Sequence, residues 1–304
     1  MMLRPRLLRL TSCQAPNSEF IGRAISTYLA NRLGLVVEFV DDVPWQERER
    51  LLDSGEVHAG WICGLTYALK RHVGQAGIEL LAAPVMAGAR YMRRPVYFSD
   101  VVVRSESTIQ SFADLRGASW GYNEPGSHSG FNIVRFELAQ RGEFGGYFGD
   151  TIETGSHERS LAMIEEGVLD ASAIDSTVLE TEVRRRPELA RLLRVVEIWG
   201  PSPAPPWVVS RRLMPDLRRT LRQVLLSMHR EPAGRALLRQ ACMVRFAGVR
   251  DFGYDSIREM ASAARIVTLT AAQPMYDAGA SSRALTMSPV RAGLSATGPP
   301  QSPG

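Results

Sequence analysis

An α/β fold is what this sequence predicts, and three observations predict it. Short apolar runs alternate with amphipathic, helix-like stretches through the first hundred residues. The alternation breaks at a strongly strand-like segment, residues 97–104 (YFSDVVVR), and then restarts. The 304 residues, 45% hydrophobic and 22% charged, have ordinary globular composition and suffice for two lobes with cores of their own. Strands alternating with helices imply mostly parallel sheets flanked by helices.

Residues 7–13 read as a buried strand, and 18–33 as an amphipathic helix beginning near Asn17. A strand at 35–40, a helix around 46–52, a strand at 57–62 and an apolar run at 78–85 follow. After strand 97–104 comes a short helical turn at 111–117. The series then resumes with strand 118–122, helix 127–141, strand 151–154, helix 157–166, strand 169–174, helix 176–184 and strand 193–199. The expected organisation is lobe one in residues 1–96, lobe two in 97–200, and a return to lobe one over 201–270. That return uses strand 207–210 and helices near 215–229, 231–240 and 254–264. Residues 271–304 are rich in Ala, Ser, Gly and Pro and cannot bury enough apolar surface to order themselves, so a disordered tail is expected.

Several function classes are disfavoured. The net charge is +4 and the pI about 9.2, but the Arg residues are interleaved with Asp and Glu rather than gathered in a stripe, so no nucleic-acid partner is expected. The densest run, Arg184-Arg185-Arg186, lies near Glu180, Glu182 and Glu188 and reads as a solvated helix face. Cys13, Cys63 and Cys242 are far apart, with no CxxC or Cys/His cluster, so neither a disulfide framework nor a zinc site is implied; no metal or cofactor is expected. No stretch approaches the ~20 apolar residues of a membrane span. The first ten residues carry positive charge without the apolar segment of a signal peptide. Leu10-Thr11-Ser12-Cys13 imitates a lipoprotein cleavage box but reads better as strand, so the expectation is a chain without an export signal.

The chemistry concentrates at three junctions where a strand hands over to a helix. They are Asn123-Glu124-Pro125-Gly126-Ser127-His128-Ser129-Gly130, Thr154-Gly155-Ser156-His157 and Ile174-Asp175-Ser176-Thr177. In open sheets the carboxyl ends of the strands carry the ligand crevice. A helix start adds unpaired N–H groups and the positive end of its dipole, which suit an anion. Ser127 and Ser129 add hydroxyl donors, and His157 a further one. Each residue has a plainer reading, with Ser127, His157 and Asp175 as ordinary helix caps. Ser127, His157 and Asp175 also supply the residue types of a catalytic triad, but Gly126-Ser127-His128-Ser129-Gly130 lacks the GxSxG spacing of a nucleophile elbow. The glycines form neither a Walker A loop nor a GxGxxG fingerprint.

NEPGSHSGF (123–131) resembles the D-P-x-S-x-S-G-F segment of the PhnD-like phosphate/phosphonate-binding proteins of ABC transporters. SFADLRG (111–117) is similar to that family's S-x-x-D-L-x-G, GSHE (155–158) to its G-x-H-E helix start, and GVLDA (167–171) to its G-x-V-D-A. The resemblance implies a two-lobed, type 2 periplasmic-binding-protein-like fold closing on a small phosphorus oxyanion for ABC import, with a transporter permease as partner and no enzymatic activity. It implies that Ser127, His128 (through its backbone), Ser129 and His157 hold the phosphorus oxygens and that Trp45 and Tyr97 line the cleft. Members that bind aminoalkylphosphonates hold the ammonium group with carboxylates; the matching positions here fall near Thr177 and Pro205, neither acidic. Phosphate, phosphite or a small alkylphosphonate is therefore the expected ligand. Asp175 would accept a hydrogen bond from a protonated P–OH, which discriminates against fully ionised sulfate. Two other readings fit the same fold: a cytoplasmic ligand sensor, and an enzyme related to thiamine-pyrimidine synthesis proteins, for which Cys13 and Cys63 would be the reactive candidates.

Overall fold

A computed structural model describes residues 6–72 and 77–269. The tail expected over 271–304 lies outside the described residues. From the N-terminus run β1 (Leu7–Ser12), α1 (Glu19–Leu33), β2 (Val36–Val40), α2 (Trp45–Ser54), β3 (Ala59–Trp61), α3 (Gly64–His72), β4 (Ile78–Met86) and β5 (Val96–Arg104). Next come β6 (Trp120–Tyr122), α4 (Ile133–Gln140), β7 (Thr151–Glu153), α5 (His157–Glu165), β8 (Ala171–Asp175), α6 (Ser176–Arg185), α7 (Leu189–Leu192) and β9 (Leu193–Pro203). The last described elements are β10 (Trp207–Ser210), α8 (Pro215–Ser227), α9 (Pro232–Gln240), β11 (Met243–Ala247) and α10 (Asp255–Ala263).

These strands form two sheets, one of six in the order β11-β4-β10-β3-β1-β2 and one of five in the order β7-β6-β8-β5-β9. Most strands in each sheet share a direction, as the strand–helix alternation requires. Both sheets are nevertheless mixed rather than uniformly parallel. β10 enters the first sheet antiparallel to β3 and β4, and β11 pairs antiparallel with β4. In the second, β5 runs antiparallel to both β8 and β9. The reason is connectivity: β5 and β10 each follow a crossing from one sheet to the other, and a strand arriving by such a crossing need not keep the direction a helical crossover imposes.

Each sheet is covered on both faces, and side-chain alternation shows it directly. Trp207 and Val209 pack into one core with Leu8, Leu10 and Ile25, while Val208 between them packs with Val57, Tyr67 and Ile257 on the other face. Val101 and Val103 join Trp120 and Phe148, while Val102 faces Leu161 and Ile174. Val267 and Leu269 pack into the five-stranded sheet's core beside Trp120, so the described chain ends against that lobe. α1 stops where Gly34 takes the left-handed conformation (φ 61°) that glycine adopts without strain. Among the described residues no helix is long and apolar enough to cross a membrane.

Candidate ligand-binding site

β7, β6 and β8 are neighbours and run parallel, so their carboxyl ends lie side by side. The three junctions singled out from the sequence follow these three strands. They open on a cavity of about 360 Å³ whose walls include Trp45, Tyr97, Ser127, Ser129, His157 and Asp175. Six of the seven expected residues thus share one cavity wall, drawn from both sheets.

Ser127 takes an extended conformation (φ −77°, ψ 135°), and its Oγ accepts the Gly130 N–H at 3.0 Å. It is a helix cap, and as an acceptor it keeps its own proton free to donate. The chain then makes a wide turn over His128–Asn132, with Asn132 N–H reaching Ser127 O at 3.0 Å, before α4 begins. Such i→i+5 turns leave backbone groups loosely used and occur often at functional sites. Ser129 Oγ lies 2.9 Å from His157 Nε2, and Ser129 O accepts from Ser99 Oγ at 2.6 Å. His157 Nδ1 is buried without a protein partner, and burial pushes the imidazole down to about 4, so the ring is neutral near pH 7.

Gly130 is required by close approach. A Cβ there would meet Asn123 Oδ1 and come within 3.1 Å of His157 Cε1. Asp175 caps α6, its Oδ1 accepting Thr177 N–H and Thr177 Oγ–H at 2.7 Å each. Burial pushes its carboxyl up to about 6, against the lowering effect of the Thr177 bonds. Trp45 opens α2 from the opposite sheet, and its ring tip lies 3.5 Å from the position a Gly126 Cβ would occupy.

His128 is placed differently. Its buried ring is not part of the cavity wall; Nε2 lies 3.0 Å from Ser202 Oγ and Nδ1 3.1 Å from Asn132 Nδ2.

Other residues complete the wall. Glu124 faces the cavity; burial, with the carboxylates of Glu49 and Glu153, pushes it up to about 7. Arg48 lines the cavity too, but its guanidinium is spent on Val43 O, Ser12 O, Asp41 O and Glu19. The grip on an anion therefore falls to neutral donors. Cys13 and Cys63 are in the wall as well, and burial raises both thiols, Cys63 to about 11. Neither is a thiolate near pH 7, which leaves no activated nucleophile of that kind. Trp61 stacks on Trp207 (centroids 6.2 Å apart), donates to Pro205 O at 2.9 Å, and still presents surface to the cavity. Among the described residues no cluster of His, Cys, Asp and Glu could hold a metal ion.

Comparison with known proteins gives a consistent picture. One family, described as ABC transporter, phosphonate, periplasmic substrate-binding protein, matches residues 21–254. A binding-protein component of an ABC phosphonate transporter from Pseudomonas aeruginosa superposes with a TM-score of 0.73 at 19% identity, covering 84% of this chain and 85% of that one. PhnD1 from Prochlorococcus marinus, solved in complex with methylphosphonate, gives 0.74 at 18% identity over 85% and 98%. The periplasmic aliphatic sulphonate binding protein SsuA from Escherichia coli gives 0.53 at 17% identity over 84% of each chain. At these identities the structural likenesses show the fold.

Proposed function

This chain belongs to the family of phosphonate-type periplasmic substrate-binding proteins of ABC transporters, which are carriers and not enzymes, and from that premise we propose that its cleft captures an alkylphosphonate for import. One observation carries the reading: three parallel strand ends bring Ser127, Ser129, His157 and Asp175 to a single cavity, in which the one cationic side chain among the described residues, Arg48, is already spent.

Hydroxyls, a neutral imidazole and helix starts form a cradle of dipoles, which suits an oxyanion bound by geometry rather than by net charge. Asp175, at the end of β8 beside β6, accepts a hydrogen bond from a P–OH group, which sulfate cannot supply. The cavity has room beyond phosphate or methylphosphonate, each of five heavy atoms, and so admits a larger carbon substituent. Five heavy atoms at about a water's share of volume, ~30 Å³ each, take up roughly 150 Å³, well under the cavity's 360 Å³. The remainder is walled by Trp45, Trp61, Met86 and Met243, which suit a carbon substituent. The relative from Prochlorococcus marinus, whose structure holds methylphosphonate, supports the same choice.

Calorimetric titration with methylphosphonate, phosphite, phosphate and sulfate tests the reading. Binding of methylphosphonate with sulfate silent is the expected result. Folded protein that takes up none of the phosphorus ligands would dismiss it.

A further inference from the structure

Asn17 makes an unusual set of contacts for a loop residue. It sits in a tight helical turn, Pro16–Ser18, just after β1 of the six-stranded sheet, and is buried. The turn is held locally, with Ser18 N–H and Ser18 Oγ–H both donating to Ala15 O. Every polar contact that Asn17 itself makes reaches the other lobe. Its backbone N–H donates to Glu158 Oε1 at 2.8 Å. Its side-chain amide donates to Glu182 Oε1 at 2.9 Å and to Val178 O at 3.4 Å. Its carbonyl accepts from the Arg185 guanidinium at 3.1 Å. Arg185 in turn lies over the Phe20 ring, 5.6 Å from its centroid, and pairs with Glu182. The basic run around Arg184 is thus not wholly a solvated face; one of its members reaches across the cleft.

The partners are not scattered. Glu158 is in the first turn of α5, and Val178, Glu182 and Arg185 are on α6. These two helices begin with the junctions that carry His157 and Asp175. A helix is rigid over two turns, so fixing its body fixes the side chains at its start. We infer that Asn17 is a cross-cleft latch, a positioning residue that clamps α5 and α6 against the six-stranded lobe. It thereby sets how long the cleft stays shut over the groups at Ser129, His157 and Asp175.

None of the four contacts passes through a ligand, so the latch holds the lobes together in ligand-free protein too. Three of the four engage charged partners, whose hydrogen bonds are the stronger class, and all four exchange with water when the lobes part. Losing the latch therefore raises the opening rate, which speeds the escape of bound ligand and also opens ligand-free protein to entry. For dissociation, the inference rests on the reading of this cleft as an oxyanion site; for lobe separation it does not.

Two measurements on the full chain separate these. Small-angle scattering of ligand-free protein compares wild type with Asn17→Ala, Glu182→Gln and Arg185→Ala. The last two residues are outside the cavity wall and have no direct claim on a ligand. All three variants should show a larger radius of gyration at unchanged far-UV circular dichroism. Scattering curves identical to wild type in all three would overturn the latch. Stopped-flow displacement of methylphosphonate then reads the kinetics. Dissociation should accelerate roughly ten- to a hundredfold in Asn17→Ala, and association should rise with the open fraction that the scattering reports. Unchanged dissociation in every variant would count equally against it. If no variant, nor wild type, binds methylphosphonate, the ligand reading falls and the scattering still decides the latch.

Discussion

Ser129 Oγ and His157 Nε2 meet 2.9 Å apart across two neighbouring strand ends, and burial holds the imidazole neutral, well below its usual range. In one neutral tautomer Nε2 accepts the Ser129 hydroxyl hydrogen bond and Nδ1 keeps a proton to donate; in the other Nε2 donates to Ser129 Oγ and leaves the hydroxyl proton free. The pair thus acts as one donor unit beside the Ser127 hydroxyl. His157→Ala and Ser127→Ala should each weaken methylphosphonate binding by about 1–3 kcal/mol, the range for losing a partner of a charged hydrogen bond. Calorimetry checks this, and unchanged affinity in both variants would place the site elsewhere.

Binding should consume a proton above neutral pH. Asp175, pushed up to about 6 by burial, and a phosphonate oxygen sharing its site need one proton between them. Below about pH 6 the carboxyl supplies it, up to the ligand's second ionisation its P–OH does, and above both neither the free carboxylate nor the dianionic ligand does. Affinity should then fall with rising pH, approaching tenfold per unit in the limit of one proton taken up. Titrations in buffers of different ionisation enthalpy read that uptake directly. In Asp175→Asn, whose amide donates without a proton from solution, the uptake should vanish. His157, already neutral, adds no step in this range.

Gly130→Ala tests the close packing behind the grip. The added methyl must displace either Asn123 Oδ1 or the His157 ring. Both belong to the cavity wall. Overpacking of this kind costs about 1–3 kcal/mol of stability, and affinity should drop by roughly tenfold as His157 shifts. Urea unfolding and calorimetry on the same sample measure the two losses. An alanine variant with wild-type affinity would show that the wide turn has more slack than its geometry indicates.

What the sequence revealed follows from how local each signal is. Ser127, Ser129, His157 and Asp175 stand at strand-to-helix handovers, where cap residues and a change of periodicity mark the place within a few residues. Strand directions had no such mark, and the antiparallel entry of β5 and β10 depends on paths between sheets that no local pattern records. α3 and β11 were not anticipated. β11 has only five residues, and its neighbours Gln240 and Ala241 reach the cavity by tertiary placement alone. Asn17 read merely as the place where a helix begins, because its partners lie 141 to 168 residues away. His128, between two site serines, reads as part of the grip through its backbone; its ring, bonded to Ser202 and Asn132, is not in the cavity wall and does not bear on that reading.

The buried, hydrogen-bonded ring makes His128 a residue of stability, and its acid response gives a separate test. The imidazole is held between Ser202 and Asn132, and burial pushes it down to about 3. In the unfolded chain it titrates near its ordinary value of ~6.5. A folded value depressed below the unfolded one means the contribution is complete above about pH 6.5 and drains away as pH falls towards about 3, by ~1.4 kcal/mol for each unit. His128→Phe keeps the volume, discards both hydrogen bonds and strands Ser202 Oγ, so at pH 7 it should cost about 2–3 kcal/mol. Because phenylalanine does not titrate, the gap between variant and wild type should narrow steadily from pH 6.5 to about pH 4.5. Urea unfolding across that range reads the gap. A constant difference would mean that the folded ring takes up protons as readily as the unfolded one, and that the closed pocket behind the grip is open to water.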